Sequence, residues 1–363
     1  MQIKKERIYR LQEMMKASAV DLIAVSTGPN LKYFAGFIPH LDERFSVLFI
    51  SPSHCVWVAP SLNVDEIAAN TSIDLLPWDD DKGPRQAIRS AIQKIGKVRV
   101  LAVDSGSRSD ALLEIQQVSS PELCITSDEI IAPLRQSKSE EEVAMLQAAA
   151  AQADMAMQVA IDSCKPGVTE KEVAWATEVF FRTNGAEMVD FTIIASGPNG
   201  AFPHHHSSPR KLMHGDAIVI DIGATLNGYK SDITRMVHLG EPDDEFMQVF
   251  DAVRRANLNA RKVVKPGIGA DEVDRAARET LKEQGLAQFF THRTGHGIGL
   301  EGHEKPWIMP GNTAKLEIGM AFSIEPGAYL PQKFGVRIED IVVVTEDGAK
   351  VLTQFPQELV IKS

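Results

Sequence analysis

Four acidic residues each interrupt an apolar run that otherwise reads as a buried strand. They are Asp221 in AIVIDIGA, Asp232 in SDITRMVHL, Glu325 in AFSIEPGAYL and Glu339 in FGVRIEDIVVV. Unpaired buried carboxylates repel one another and lose hydration, so a set of them implies a cation between them. Asn227-Gly228 lies between the first two and is a two-residue hairpin signal, which would bring Asp221 and Asp232 onto adjoining strands. For that hairpin taken alone a second reading stands, in which one acid pairs with Arg235 and the other caps a turn. Residues 289–306, FFTHRTGHGIGLEGHEKP, add His292, His296 and His303 among glycines, and glycine lets a backbone come close to a site. One imidazole can complete a coordination shell while another moves protons. Carboxylates with one imidazole suit Mn, Fe, Co or Zn, and do not suit a thiolate-type structural zinc site. Two ions ~3.5–4 Å apart could share bridging carboxylates and hold a hydroxide between them.

These residues must be carried by a framework that the rest of the chain encodes. The first part alternates between helix and strand. Residues 5–17 have an amphipathic pattern, DLIAV at 21–25 and VRVLAVD at 98–104 read as strands, and 109–118 reads as a helix. SVLFIS at 46–51 and HCVWVA at 54–59 are two further strands joined by a Pro-Ser turn. This predicts an α/β domain with a mixed sheet over 1–133. A loop-like segment at 133–138 then gives way to Ser139, an N-cap candidate, and a long alanine-rich helix with acids in its first turn. A second domain is expected over 137–363.

The second domain contains a repeat. CKPGVTEKEV at 164–173 recurs as VKPGIGADEV at 264–273, an offset of 100 residues, and each copy continues as an amphipathic helix ending at a glycine, Gly185 or Gly285. Strands carrying Asp221 and Asp232 follow the first copy, and strands carrying Glu325 and Glu339 follow the second. Two such copies predict duplicated half-domains related by a pseudo-twofold, each sending one acidic hairpin to a shared site.

Composition restricts the alternatives. The chain has 363 residues, 44% of them hydrophobic and 24% charged, as in soluble globular proteins. A formal net charge of −11 argues against nucleic acid or an anionic membrane as partner. No apolar run approaches the ~18 residues of a membrane span. MQIKKERIYRLQEMM has no apolar stretch after its basic residues, so it does not read as a signal peptide. Cys55, Cys124 and Cys164 are scattered, which points to a reducing, cytoplasmic setting. No G-x-G-x-x-G follows an early strand, and no serine or cysteine elbow motif is present.

With DIGATLNGYKSDITR, TGHGIGLEGHE, SIEPGAYL and GVRIED in view, residues 137–363 resemble the pita-bread metallopeptidases: methionine aminopeptidase, aminopeptidase P and prolidase. The N-terminal domain is similar to the creatinase-type domain that precedes it in the last two. The resemblance implies an α+β protein with a dinuclear centre of Asp221, Asp232, His296, Glu325 and Glu339, Mn being the expected metal and Co, Zn or Fe also accepted. Asp232, His296 and Glu325 would bind one ion together with Glu339. Asp221 would hold the second, with Asp232 and Glu339 bridging. A metal-bridging hydroxide would attack, and Glu325 would act as general acid and base. His204, in GAFPHHHSSP, would act at the scissile amide, and His303 would stabilise the oxyanion. Arg337 would pair with Asp221 or another ligand carboxylate, and Tyr329 would hydrogen-bond near the substrate. His205 and His206 read as exposed loop residues, and His292 as an outer or structural histidine.

The same resemblance implies short Xaa-Pro peptides as substrates and a homodimer. GFIPHLDERFSVLFI at 36–50 looks like a loop that reaches an active site in prolidases and aminopeptidase P, so His40, Asp42, Glu43 and Arg44 are candidates for substrate contact. After HEKP, dipeptide-cleaving prolidases tend to carry an arginine, and this chain has Trp307, which can stack but cannot grip a carboxylate. Arg293 or Arg44 could supply the charge instead. Phe202, Trp307 and Tyr329 are candidates for a wall against the proline ring. A pita-bread enzyme acting on a small non-peptide metabolite is the alternative, and a non-catalytic binding protein reusing the fold is a third reading, disfavoured by the complete ligand set.

Overall fold

The computed structural model describes residues 2–40 and 42–363. The chain divides into two compact units, Met1–Arg135 and Gln136–Ser363. The first unit runs α1 (Gln2–Ser18), β1 (Leu22–Ser26), α2 (Pro29–Ala35), β2 (Val47–Ile50), β3 (Cys55–Pro60), α3 (Val64–Asn70), β4 (Asp74–Trp78), α4 (Arg85–Ile95), β5 (Val100–Val103), α5 (Ser109–Ser119), β6 (Leu123–Thr126) and α6 (Asp128–Gln136). Its six strands lie in the order β4-β3-β2-β1-β5-β6. β2 is antiparallel to both of its neighbours and every other pairing is parallel, so the sheet is mixed. Leu22, Ala24, Val47, Phe49 and Val58 pack there with Ile88 and Ala91 of α4. No helix among the described residues is long and apolar enough to cross a membrane.

The second unit opens with α7 (Glu140–Ser163) and α8 (Glu170–Thr183), followed by strands β7 (Met188–Ser196), β8 (Ala217–Leu226), β9 (Tyr229–Lys230) and β10 (Ile233–Leu239). It continues with α9 (Asp244–Val263) and α10 (Ala270–Glu283). The last strands are β11 (Gly295–Gly297), β12 (Glu304–Ile308), β13 (Ala321–Ile324), β14 (Gly327–Leu330), β15 (Phe334–Arg337), β16 (Asp340–Thr345), β17 (Gly348–Val351) and β18 (Val360–Lys362). One sheet is ordered β18-β10-β8-β7 with β9 beside β8, and the other β12-β11-β13-β16-β17. Ala153, Met157 and Phe181 of α7 and α8 cover the first sheet. Phe246, Val253, Val273 and Leu281 of α9 and α10 pack with Phe322, Ile324 and Val342 of the second.

The duplication inferred from Lys-Pro-Gly extends to backbone hydrogen bonds. Gly167 and Gly267 take φ of 89° and 86°, a left-handed conformation that suits glycine. Their amides donate to Leu212 O and Leu316 O, and the amides of Glu170 and Ala270 donate to Arg210 O and Ala314 O. Thr169 and Gly269 begin helices whose third residues, Glu172 and Glu272, reach back to the capping amide. The halves meet at a bridge between Thr234 and Glu339.

Candidate metal centre

Each half delivers its acids through strand register. Asn227 and Gly228 have φ of 52° and 79°, the left-handed pair that a tight hairpin needs, and Leu226 pairs with Tyr229 across them. In the same register Asp221 opposes Thr234, and Asp232 falls two positions before Thr234. Side chains two apart on a strand share a face, so Asp221 and Asp232 project to the same side of the sheet. In the second half Ile324 pairs with Asp340 and Gly327 with Arg337, so the intervening Glu325 and Glu339 stand across from each other. His296 lies on β11, which has Gly295 because a Cβ there would meet Ser323 O at 1.8 Å.

The register brings these side chains together. Ligand atoms of Asp221, Asp232 and Glu339 lie within 4.8 Å of one another, and so do those of His296, Glu325 and Glu339. Asp232, His296 and His303 form a third such group. Asp221, Asp232, His296 and Glu339 are buried, whereas the Glu325 side chain keeps 16% of its surface exposed. A cavity of about 450 Å³ opens on them, lined also by Phe191, Ile193, Pro203, His204, Arg293 and Arg337.

Hydrogen bonds satisfy one oxygen of two of these acids and strand the other. Arg337 donates from Nη2 to Asp221 Oδ2 at 2.5 Å, and Thr234 Oγ1 donates to Glu339 Oε2 at 2.8 Å. Asp221 Oδ1 and Glu339 Oε1 are buried with no hydrogen-bond partner. A buried oxygen without a partner is costly, and these two face a cluster of like charge. His296 points the same way. Its Nδ1 lies 3.1 Å from Gly297 O, which can only accept, so Nδ1 carries the proton. Nε2 therefore presents a lone pair 3.2 Å from Glu325 Oε1 and 3.8 Å from Asp232 Oδ2. Lone pairs facing oxygens across this gap fit a divalent cation, and the carboxylate-rich donor set suits Mn, Co, Fe or Zn.

Electrostatics agree. Burial, then the charges of Glu339, Asp221 and Glu325, push the Asp232 carboxyl well above its ordinary range. Burial and the neighbouring Glu325 and Asp221 do the same to Glu339. Asp221 is raised by burial against the pull of Arg337. Burial also favours neutral Glu325, but the positive charge of Arg337 opposes it and the balance holds that carboxyl below its ordinary range. Without a cation the cluster cannot hold all its negative charge.

Outer residues fix the inner ones. Ser323 Oγ donates to Glu325 Oε1 at 3.1 Å while accepting from His296 N. Arg337 Nη1 donates to the Tyr329 hydroxyl, which donates to His292 Nε2 at 2.9 Å, and His292 Nδ1 donates to Arg293 O. Arg293 Nη2 lies 3.2 Å from His303 Nδ1. A guanidinium only donates, so His303 Nδ1 accepts and its Nε2–H is left as a donor. Burial, His296 and Arg293 lower the His303 pKa to about 4, which keeps the ring neutral at pH 7.

The remaining sequence candidates fall in several places. His204 lines the cavity. Tyr329 is buried and its hydroxyl is engaged by Arg337 and His292, away from the cavity lining. Trp307 stands behind Arg293, with Arg293 Cζ 4.3 Å from the centre of its ring. Phe202 is 63% exposed and does not line the cavity. Arg44 lies in the first unit, where it pairs with Asp42 at 2.6 Å and Asp80 at 2.8 Å. The alternative pairing of Arg235 with the opening acids is excluded, because Arg235 binds Asp340.

Sequence reading missed the apolar wall of Phe191 and Ile193, although their two-residue spacing on β7 signals a common face. It also took His205 for an exposed loop residue. His205 Nε2 binds Glu170 Oε2 at 2.8 Å. Fully buried Glu170 also accepts from Ser196 N and Oγ, Asn199 Nδ2, and Ser208 N and Oγ. Burial opposes its charge, but these donors, Ser196 first, bring its pKa down to about 2. The network ties both ends of the segment that carries His204. No local signal marked Glu170, which reads as an ordinary acid in a first helical turn. Glu170→Gln should lower stability at pH 7 by about 2 kcal/mol, because an amide places donors where the network needs an acceptor. The depressed carboxyl contributes above its ordinary pKa near 4.5 and loses that contribution as pH falls toward 2. The wild-type advantage should therefore shrink in melting curves taken below pH 4.5, and an advantage constant down to pH 2 would contradict the assignment.

Comparison with known proteins agrees with this architecture. Residues 144–346 match metallopeptidase family M24, and residues 7–137 match the creatinase/prolidase N-terminal domain. The chain is 37% identical over 345 residues to the probable dipeptidase PepE of Mycobacterium tuberculosis, covering 93% of this chain and 91% of that one. It is 34% identical over 357 residues to the Xaa-Pro dipeptidase of Pyrococcus furiosus, covering 98% and 99%. The crystal structure of the prolidase from Pyrococcus horikoshii superimposes with a TM-score of 0.90 at 31% identity, covering 98% of this chain and 100% of that one.

Proposed function

This chain belongs to metallopeptidase family M24, and we propose that it hydrolyses the peptide bond before proline in Xaa-Pro dipeptides and short N-terminal Xaa-Pro peptides. Asp221, Asp232, His296, Glu325 and Glu339 would hold two divalent ions, with Mn the favoured metal and Co, Zn or Fe also suited to the donor set. When bound, the ions supply Lewis acidity that polarises the scissile carbonyl and lowers the pKa of water.

The chain's own residues account for the rest. Glu325 is ionised at neutral pH and partly open to the cavity, so it can take a proton from the attacking water and hand it to the proline nitrogen. As the C–N bond breaks, that proton leaves with the amine. The His303 Nε2–H is a neutral donor for the developing oxyanion. His204 lines the cavity where it can hold the scissile amide. Phe191, Ile193 and Pro203 offer an apolar wall to a proline ring, and a tertiary amide has no N–H that such a wall would leave unsatisfied. Cys55, Cys124 and Cys164 are free thiols, in keeping with a reducing cytoplasmic compartment, and a homodimer belongs to the same reading.

Two stranded oxygens, Asp221 Oδ1 and Glu339 Oε1, carry this reading. The test is product release from Ala-Pro, Ala-Pro-Ala and a Met-initiated tripeptide without proline, with Mn and with a chelator. Mn should support cleavage of Ala-Pro, the chelator should abolish it, and the Met tripeptide should stay intact. If the Mn-loaded protein cleaves none of the three, a non-peptide substrate takes the place of Xaa-Pro.

A further inference from the structure

A donor for an oxyanion must be held still, and the surroundings of His303 do little to hold it. It is an exposed residue at the end of the loop between β11 and β12, which Gly297, Gly299 and Gly302 make permissive. Its ring lies on that of His296, 3.8 Å between centres, and Nδ1 accepts from Arg293 at 3.2 Å. The next residue is placed very differently. Glu304 is buried, and its Oε1 accepts from Lys138 Nζ at 2.7 Å. The two side chains of this ion pair are only 8% and 2% exposed.

Backbone contacts fix both partners. Lys138 N donates to Gly319 O at 2.9 Å, and Ser137 bridges Met320, the residue before β13. Gly319 has φ of 86°, and a Cβ there would meet Lys138 O at 2.6 Å. Lys138 Nζ also donates to Gln136 O at 3.2 Å. Glu304 pairs with Gly297 across β11 and β12, so it closes the loop. The loop passes directly over the ion pair: a Cβ on Gly299 would lie 2.8 Å from Glu304 Oε1 and 3.1 Å from Lys138 Cε. Neighbouring strands hold the first half of the loop, with Ile298 N donating to Ala321 O and Lys230 N to Gly299 O. The second half turns back on Glu304, whose Oε2 accepts from Glu301 N at 3.4 Å.

A buried ion pair gains little stability over an apolar pair of the same volume, because both charges lose their hydration. It does supply direction, since a short charge-assisted bond ties one side chain to a fixed point. We infer that the Lys138–Glu304 pair positions His303 for its bond to the oxyanion. This rests on the reading of His303 as the oxyanion donor. Neither Lys138 nor Glu304 lines the cavity, so both are positioning residues that act through His303. The oxyanion exists only after attack, so displacing its donor lowers kcat and leaves substrate binding unchanged.

The test is a double-mutant cycle on Ala-Pro, with kcat taken per Mn-loaded protein. Lys138→Met keeps most of the side-chain length and removes the ammonium. It should lower kcat on the order of 10-fold, with KM within about twofold of wild type. Glu304→Gln still offers Lys138 an oxygen and should lose less. In a His303→Ala background, Lys138→Met should change kcat by less than about twofold, because the donor it places is gone. The rise in melting temperature on adding Mn should be as large in Lys138→Met as in wild type. Equal kcat losses in the two backgrounds, an unchanged kcat in Lys138→Met, or a lost response to Mn each overturn the inference and leave the oxyanion reading standing. Normal turnover by His303→Ala alone overturns that reading and this inference with it.

Discussion

Replacing Asp232 with asparagine should make the metal-free protein more resistant to heat while removing its turnover. Asp232 is buried among Glu339, Asp221 and Glu325, and its carboxyl is raised well above the ordinary range by burial and by those charges. Ionised, it adds repulsion to a cluster that already holds two stranded oxygens. An amide of the same shape removes one charge and adds a donor that can face Glu339. The metal-free variant should gain about 1–2 kcal/mol, seen as a few degrees in a melting curve with chelator. The same change removes the carboxylate that belongs to two of the three ligand groups. Added Mn should no longer raise the melting temperature of the variant, and kcat/KM on Ala-Pro should fall by at least about 10³-fold. The signs oppose, which separates a binding-site residue from a structural one. An asparagine variant that melts earlier than wild type in chelator, or that turns over normally, would show that Asp232 is not a strained ligand.

The second large effect is a pH dependence that disappears on metal loading. The Asp221, Asp232 and Glu339 carboxyls are all raised in the folded protein, chiefly by burial. Their contribution to stability is complete below the ordinary values of 3.8 and 4.5, and is lost as pH rises through the raised values. His303 runs the other way. Its pKa falls from 6.5 to about 4 on folding, so it contributes above 6.5 and loses that contribution as pH falls toward 4. Glu170, lowered to about 2, and Glu325, held below its ordinary range, are ionised in both states above pH 6.5 and add no slope there. Between pH 6.5 and 8.5 the carboxylates are therefore left to decide. Each proton held only by the folded state costs about 1.4 kcal/mol per pH unit. Melting temperature in chelator should fall across this window. With saturating Mn the carboxylates are already ionised, the fall should vanish, and the stabilisation by metal should widen with pH. A metal-free protein whose melting temperature stays level or climbs over that range would remove the case for a strained anionic cluster.

The sequence was most informative where it broke its own pattern. An acid in an apolar β-branched run is too costly to be incidental, so Asp221, Asp232, Glu325 and Glu339 stood out without any structure. The repeat at 164–173 and 264–273 and the Asn-Gly hairpin were equally plain, because turn chemistry is local and depends on residues adjacent in the chain. From these the family and the two-part mixed α/β architecture followed, and the comparisons bear both out.

The pairing of Arg337 with Asp221 was among the expectations and the structure shows it, but the role of Arg235 was not legible: it is three residues from Asp232 in sequence yet binds Asp340. The cavity wall includes Phe191 and Ile193 on β7, and the face of Trp307 lies against Arg293, which its place in the sequence did not signal. His205 is drawn to Glu170, which lies 35 residues earlier in the chain. Composition and spacing along the chain determined which residue types must meet, because burial cost and turn geometry are local. Which atoms meet was decided by strand register across the two halves, since a shift of one residue turns every side chain to the opposite face and no local signal encodes that choice.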